Sequence, residues 1–157
     1  MITGKALTIC KNSGGVSSTP SLVGFLWGIV YTGSSGALIG SSGSSSIRYV
    51  YGCVSDYFSF SNGNLTCKKA GSYNLTYFGR CGQGTTQVTG PAVNTLYQIY
   101  LNDSRIVNTT NSTLAGFSGS TTNITINVDD YIRCFAGRNS GSTANYFDFG
   151  VAIYLPE

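Results

Sequence analysis

The stretch Tyr146-Phe147-Asp148-Phe149-Gly150-Val151-Ala152-Ile153-Tyr154-Leu155 decides the fold of this chain. Phe147, Phe149, Val151, Ile153 and Leu155 recur with a period of two, so an extended backbone puts all five on one side. Asp148, Gly150, Ala152 and Tyr154 then share the other side, which is small and semi-polar, as a subunit contact would tolerate. Working upstream, the same alternation returns in short bursts. Tyr73, Leu75 and Tyr77 share a face, as do Tyr97, Ile99 and Leu101, and Ile124, Ile126 and Val128 alternate with Thr125 and Asn127. Helical periodicity is hard to find anywhere. Further strands are expected at 47–54, from Tyr57 to Phe60, at 64–68, 104–107 and 131–136. Antiparallel strands in such number, about ten, joined by short turns, predict an all-β antiparallel sandwich or jelly roll of two packed sheets.

Turn chemistry agrees with this reading. Asn62-Gly63 is a strong hairpin signal because both residues tolerate positive φ, and Asn102-Asp103 and Asp129-Asp130 also separate apolar runs. Residues 33–46, GSSGALIGSSGSSS, are too small to pack a core and read as a mobile loop or linker. Residues 1–20 carry no clear pattern and read as an N-terminal arm, leaving 21–157 as the head domain. The run Leu22 to Tyr31 is about half the length needed to cross a bilayer, and its leader of some twenty polar residues is long for a signal peptide.

Composition narrows the function. Charged residues are only 10% of the 157, against about 25% in average soluble proteins. Nine Lys and Arg scattered along the chain are a poor basis for binding nucleic acid, which rests on many cations neutralising phosphates. Histidine is absent, removing the commonest general base and metal ligand. The six carboxylates, Asp56, Asp103, Asp129, Asp130, Asp148 and Glu157, offer little from which to build a hydrolase, and a calcium site at Asp129-Asp130 would need several more oxygen ligands. No enzyme, no cofactor and no metal are expected. Cys10, Cys53, Cys67, Cys81 and Cys134 show no zinc-type spacing and read as small buried apolar residues of a protein assembled in a reducing cytosol, with a disulfide such as Cys53 to Cys67 as the alternative.

From Tyr57 onward, the order of features resembles the globular heads of the complement q-subunit and tumour necrosis factor superfamily. The run from Phe60 to Phe78 resembles that family's hairpin, in which a Gly turn, a short strand, a Gly and an aromatic strand follow one another. Tyr97 to Asn102, with Ser104 to Val107 returning, resembles its strand ending in an Asn turn. Ile124 to Ile132 is similar to its apolar strand, acidic turn and following strand, although Asp129 stands where Gly is usual. The opening stretch resembles the aromatic, Gly-containing strand that closes the domain. The resemblance implies a ten-stranded jelly roll that trimerises around a threefold axis, binds partners through outer loops or intersubunit grooves, and performs no catalysis.

Trimerisation also has a physical motive. With 11 Tyr, 8 Phe and one Trp, the chain carries more aromatic area than one small sandwich can hide, so some rings should lie between subunits. Tyr100, Phe117 and Tyr154 are the candidate trimer-interface residues, from their aromatic character and the family's arrangement. The expected function is a non-enzymatic virion structural protein of a bacteriophage, a homotrimeric capsid decoration or head-fibre module assembled in the host cytoplasm. Its arm would grip the major capsid protein or another virion protein. The alternative is a receptor- or carbohydrate-binding tip, on a phage tail fibre or in a secreted complement-q-like domain, contacting a host-surface glycan or protein through loops around 81–95 and 137–145. Neither reading involves nucleic acid or a membrane.

Overall fold

Alternation along the closing stretch places Phe147, Phe149, Val151 and Ile153 wholly inside the protein. A computed structural model describes residues 20–31, 37–38, 47–52, 54–83, 86–87, 95–111, 117–138 and 146–157. Residues 1–19 of the expected arm, Cys10, Cys53 and most of the 81–95 and 137–145 loops lie outside the described residues.

Every regular element described is a strand: β1 (Leu22–Tyr31), β2 (Ala37–Leu38), β3 (Ile47–Gly52), β4 (Phe58–Ser61), β5 (Asn64–Cys67) and β6 (Gly71–Gln83) in the first half. They are followed by β7 (Thr86–Gln87), β8 (Thr95–Leu101), β9 (Ser104–Asn111), β10 (Phe117–Ile126), β11 (Tyr131–Arg138) and β12 (Tyr146–Tyr154). One sheet runs β10-β6-β12-β1-β3 with β7 attached to β6, the other β4-β5-β11-β8-β9 with β2 attached to β11. All pairings are antiparallel. Two sheets of five principal strands with non-consecutive neighbours make the expected jelly roll.

Between the sheets lies one apolar core, in which Tyr97 and Phe149 meet at 5.1 Å between ring centroids and Phe58 and Tyr73 at 5.3 Å. Burying such rings is the main favourable term, on the order of 25 cal/mol per Å² of apolar surface. Cys67, Cys81 and Cys134 are part of this core as free thiols. Cys67 donates its S–H to the Lys69 carbonyl, and Cys53, its partner in the alternative disulfide, lies outside the described residues.

The hairpin signals resolve as turns. Asn62 (φ 50°) and Gly63 (φ 75°) form the two-residue link between β4 and β5, both left-handed as a primed turn requires. Asn102 (φ 53°) opens the link from β8 to β9. Asp129 takes φ 71°, the conformation that a Gly would hold without strain at that turn.

Three expectations need correction. Val128, read as the third apolar residue of a strand, is 51% exposed, because β10 ends at Ile126 and Val128 already belongs to the turn that Asp129 reverses. Within the Gly/Ser segment read as a loop, Ala37 and Leu38 pair with Ala136 and Phe135 at the margin of the second sheet. The β10 strand also starts earlier than its apolar pattern, at Phe117, through a polar half that only its pairing with β6 holds extended.

Candidate interaction face

The core-side residues of the first sheet are sealed by the second, and attention turns to the sheet's outward side. Its register sets Trp27 of β1 between Tyr51 of β3 and Gly150 of β12, and Gly150 in turn beside Phe78 of β6. Two residue pairs along, on the same side, Phe25 faces Ala152. A Cβ at Gly150 would fall 2.8 Å from both the Leu26 carbonyl oxygen and the Phe78 ring, and 3.1 Å from the Trp27 Cβ. Only glycine therefore lets the rings settle across the strand. Phe25 and Phe78 stack at 6.3 Å and Trp27 and Tyr51 at 5.3 Å between centroids. Phe25, Trp27 and Phe78 are half-buried, and Tyr51 is 44% exposed. The result is an aromatic face with no second layer over it among the described residues.

At one end of this face sits Asp148, read from the alternation as part of a small semi-polar side. It is in fact only 2% exposed. The Trp27 indole N–H donates to its Oδ1, and Arg80 donates to Oδ2 from Nε at 3.1 Å and from its terminal nitrogen at 2.5 Å. Arg80 itself keeps 54% of its side chain exposed. A buried carboxylate is costly unless paired and hydrogen-bonded, and here both oxygens have donors.

A groove opens on the same side of the sheet, across β12, β6 and β10. Pro20, Asn74, Thr76, Ser120, Thr122 and Tyr154 line a cavity of about 360 Å³. Its shape follows from a bulge in β10, where Thr122 and Asn123 together oppose Asn74 alone. Asn123 is left-handed (φ 57°), and its backbone N–H donates to the Asn74 side-chain oxygen at 3.1 Å.

Elsewhere the polar groups serve the fold. Asp130 accepts from the Asn102 side chain at 2.9 Å and from the Asn127 backbone N–H at 2.8 Å, which holds its carboxyl below the usual carboxylate range. It thereby ties the β8–β9 and β10–β11 turns together. Among the described residues there is no cluster of three or more His, Cys, Asp or Glu that could hold a metal. Burial pushes the Cys67, Cys81 and, most strongly, Cys134 thiols upward, and pushes the Tyr73 phenol up to about 12.

The three residues singled out from sequence are not brought together. Tyr154 lines the groove. Phe117 begins β10 opposite Gly79, with its side chain outside the described set. Tyr100 belongs to the other sheet, where its hydroxyl donates to Gln98 Oε1 at 2.7 Å and Gln98 donates on to Asn108. Phe25, Trp27, Tyr51, Phe78 and Arg80 were missed. The signal was present in Leu22 to Tyr31, where Phe25, Trp27 and Ile29 alternate against Leu26 and Gly28, but a run apolar at nearly every position conceals which side is which.

No family model and no curated protein matches the chain. Among solved structures, PRD1 vertex protein P5 aligns with 99% of this chain and 86% of its own, at 18% identity and a TM-score of 0.53. The fold is shared. Its neighbours also include the globular domain of zebrafish complement 1qA protein, at 13% identity and a TM-score of 0.43 over 88% of this chain and 98% of that one. Eiger TNF from S. frugiperda aligns at 8% identity and 0.40, covering 88% and 95%.

Proposed function

We propose that this chain is a non-enzymatic structural module of a bacteriophage virion that associates as a homotrimer through the aromatic side of its β3-β1-β12-β6-β10 sheet and decorates a capsid or head fibre. The single observation carrying this reading is that face: four aromatic side chains half in solvent, levelled by Gly150 and Ala152, with Asp148 neutralised by Arg80. Contiguous apolar surface of this kind on a chain with so few charges is the mark of an interface. The likeness to a vertex protein over nearly the whole chain supports a place on a viral shell. Residues 1–20 act as the arm that engages the major capsid protein or another virion protein, and 21–157 form the head.

Light scattering on the purified protein tests the association, with a mass of three chains expected at micromolar concentration. A monodisperse single chain would refute it. Co-sedimentation with undecorated capsids tests the virion role separately, and removal of residues 1–19 should abolish it while leaving the mass of the head at three copies.

A further inference from the structure

We infer that the outer side of the second sheet carries a docking site for an acidic, extended protein segment, centred on Tyr100, Arg105 and Arg133. That sheet is the one turned away from the association face, so the proposed trimer leaves the site open. The inference makes no use of the virion reading, and either can fail alone.

Alternation along β11 and β8 decides which side chains face out. Ile132, Cys134 and Ala136 are wholly buried, so Tyr131, Arg133 and Phe135 point away from the core. On β8 the buried Tyr97 and Ile99 leave Tyr100 on the outer side, and the register sets it between Arg133 of β11 and the exposed Arg105 of β9. Neighbouring strands are about 4.8 Å apart, so the two arginines leave the sheet about 10 Å from each other with a phenol ring between them.

Hydrogen bonding leaves this surface rich in donors. The Tyr100 hydroxyl donates to Gln98 Oε1 at 2.7 Å and Gln98 Nε2 donates to Asn108 Oδ1 at 3.0 Å, so the relay ends on the exposed Asn108 carboxamide nitrogen, which has hydrogens to give. Arg105 has no ion-pair or hydrogen-bond partner among the described residues. Arg133 lies over the Tyr131 ring, its Cζ 5.0 Å from the centroid, which holds the guanidinium in place. It gives a terminal nitrogen to Asp103, while its Nε finds no acceptor. Asp103 is 84% exposed, and an ion pair so open to water holds weakly, so a second carboxylate can displace it. Asp130, at the neighbouring turn, is already engaged by Asn102 and Asn127.

Carboxylates match this array because each is acceptor-only and takes the paired N–H groups of a guanidinium. Two of them about 10 Å apart are what an extended or polyproline chain presents from every third residue, at roughly 3.1–3.4 Å per residue. Tyrosine and arginine are also the residue types that dominate the energy of protein interfaces. An open sheet surface suits a chain laid across it better than a small molecule, which needs enclosure.

The test uses the full-length protein as purified and a fluorescein-labelled peptide of four Glu-Pro-Pro repeats, which stays extended and carries a carboxylate at every third position. The Gln-Pro-Pro peptide is its neutral counterpart. Fluorescence anisotropy at about 50 mM salt, where charge pairing is little screened, gives the affinity, and amide-resolved NMR gives the position. Saturable binding of the Glu peptide is expected, at least tenfold tighter than that of the Gln peptide, with shifts at Tyr100, Arg105, Asn108 and Arg133. Arg105→Gln should weaken it at least fivefold. Lys69→Gln, an equal loss of charge over the Tyr57 ring, should leave it within twofold. Asp103→Asn should tighten it, because Arg133 is then released, a gain that a merely structural pair would not give. Circular dichroism and light scattering check that each variant keeps its fold and mass. Absence of saturable binding overturns the inference, as do equal losses in Arg105→Gln and Lys69→Gln, an Asp103→Asn variant that binds no better, or shifts confined to the other sheet. Tighter binding of an oligosaccharide of glucuronate units than of the peptide would make this a site for acidic sugars, and that also overturns it.

Discussion

Asp130 joins two hairpin turns through a single carboxylate, and that gives its ionisation a consequence for stability. Its pKa in the folded chain is lowered, chiefly by the Asn102 side-chain hydrogen bond. A group depressed on folding adds stability above its unfolded pKa, about 4, and that contribution disappears as pH falls through the lower folded value. Asp130→Asn should therefore reduce the melting temperature at pH 7 and lessen its decline between neutral pH and the acid range, as read by thermal melts across pH. Cys67, Cys81 and Cys134 make a second prediction at this scale. Raised by burial, their thiols stay protonated at neutral pH, and the thiolate is the reactive form. Peptide mapping after brief maleimide treatment should find these three unmodified in the native protein and modified in guanidinium. Labelling of Cys134 without denaturant would contradict its placement in the core.

At the scale of elements, the crossing of β12 by aromatic rings is the point most sensitive to change. Gly150→Ala would drive a methyl against the Leu26 carbonyl, which belongs to a neighbouring strand's backbone and cannot rotate away. Overpacking of this kind costs about 1–3 kcal/mol, and denaturant unfolding should show a lowered midpoint with an unchanged slope. How much of this was legible beforehand differs from strand to strand. The burial of Phe147, Phe149, Val151 and Ile153 follows directly from their spacing, as do the reversals at Asn62-Gly63 and Asn102, because period and turn chemistry are local properties. The pairing of Ala37–Leu38 with β11 is not local, and two small residues among serines and glycines carry no pattern to reveal it. The Asp148–Arg80 bond is likewise invisible, since it joins positions 68 apart through the β6–β12 register. The groove at Tyr154 depends on a bulge whose two opposed residues, Thr122 and Asn123, look like ordinary loop composition. The resemblance to the complement q and tumour necrosis factor heads supplied the layout, while its candidate contacts Tyr100, Phe117 and Tyr154 fall on both sheets rather than on one surface.

For the molecule as a whole, the sole tryptophan offers a direct reporter. Trp27 lies within the face assigned to association and is half-buried in the single chain. Serial dilution should shift its emission to the red in step with the loss of mass by light scattering, and Phe78→Glu should give the diluted spectrum at every concentration. An emission maximum constant over the range where mass changes would place the contact elsewhere. The sheet order has one more effect, on how the protein comes into being. β12 lies between β6 and β1, yet it leaves the ribosome after every other strand described. At translation speeds of roughly 5–20 residues per second, the earlier strands wait several seconds with an open slot where their central neighbour belongs. Folding is thus postponed until synthesis of this polypeptide has passed Tyr154, and a nascent chain stalled before Tyr146 should be digested by protease as fast as an unstructured one.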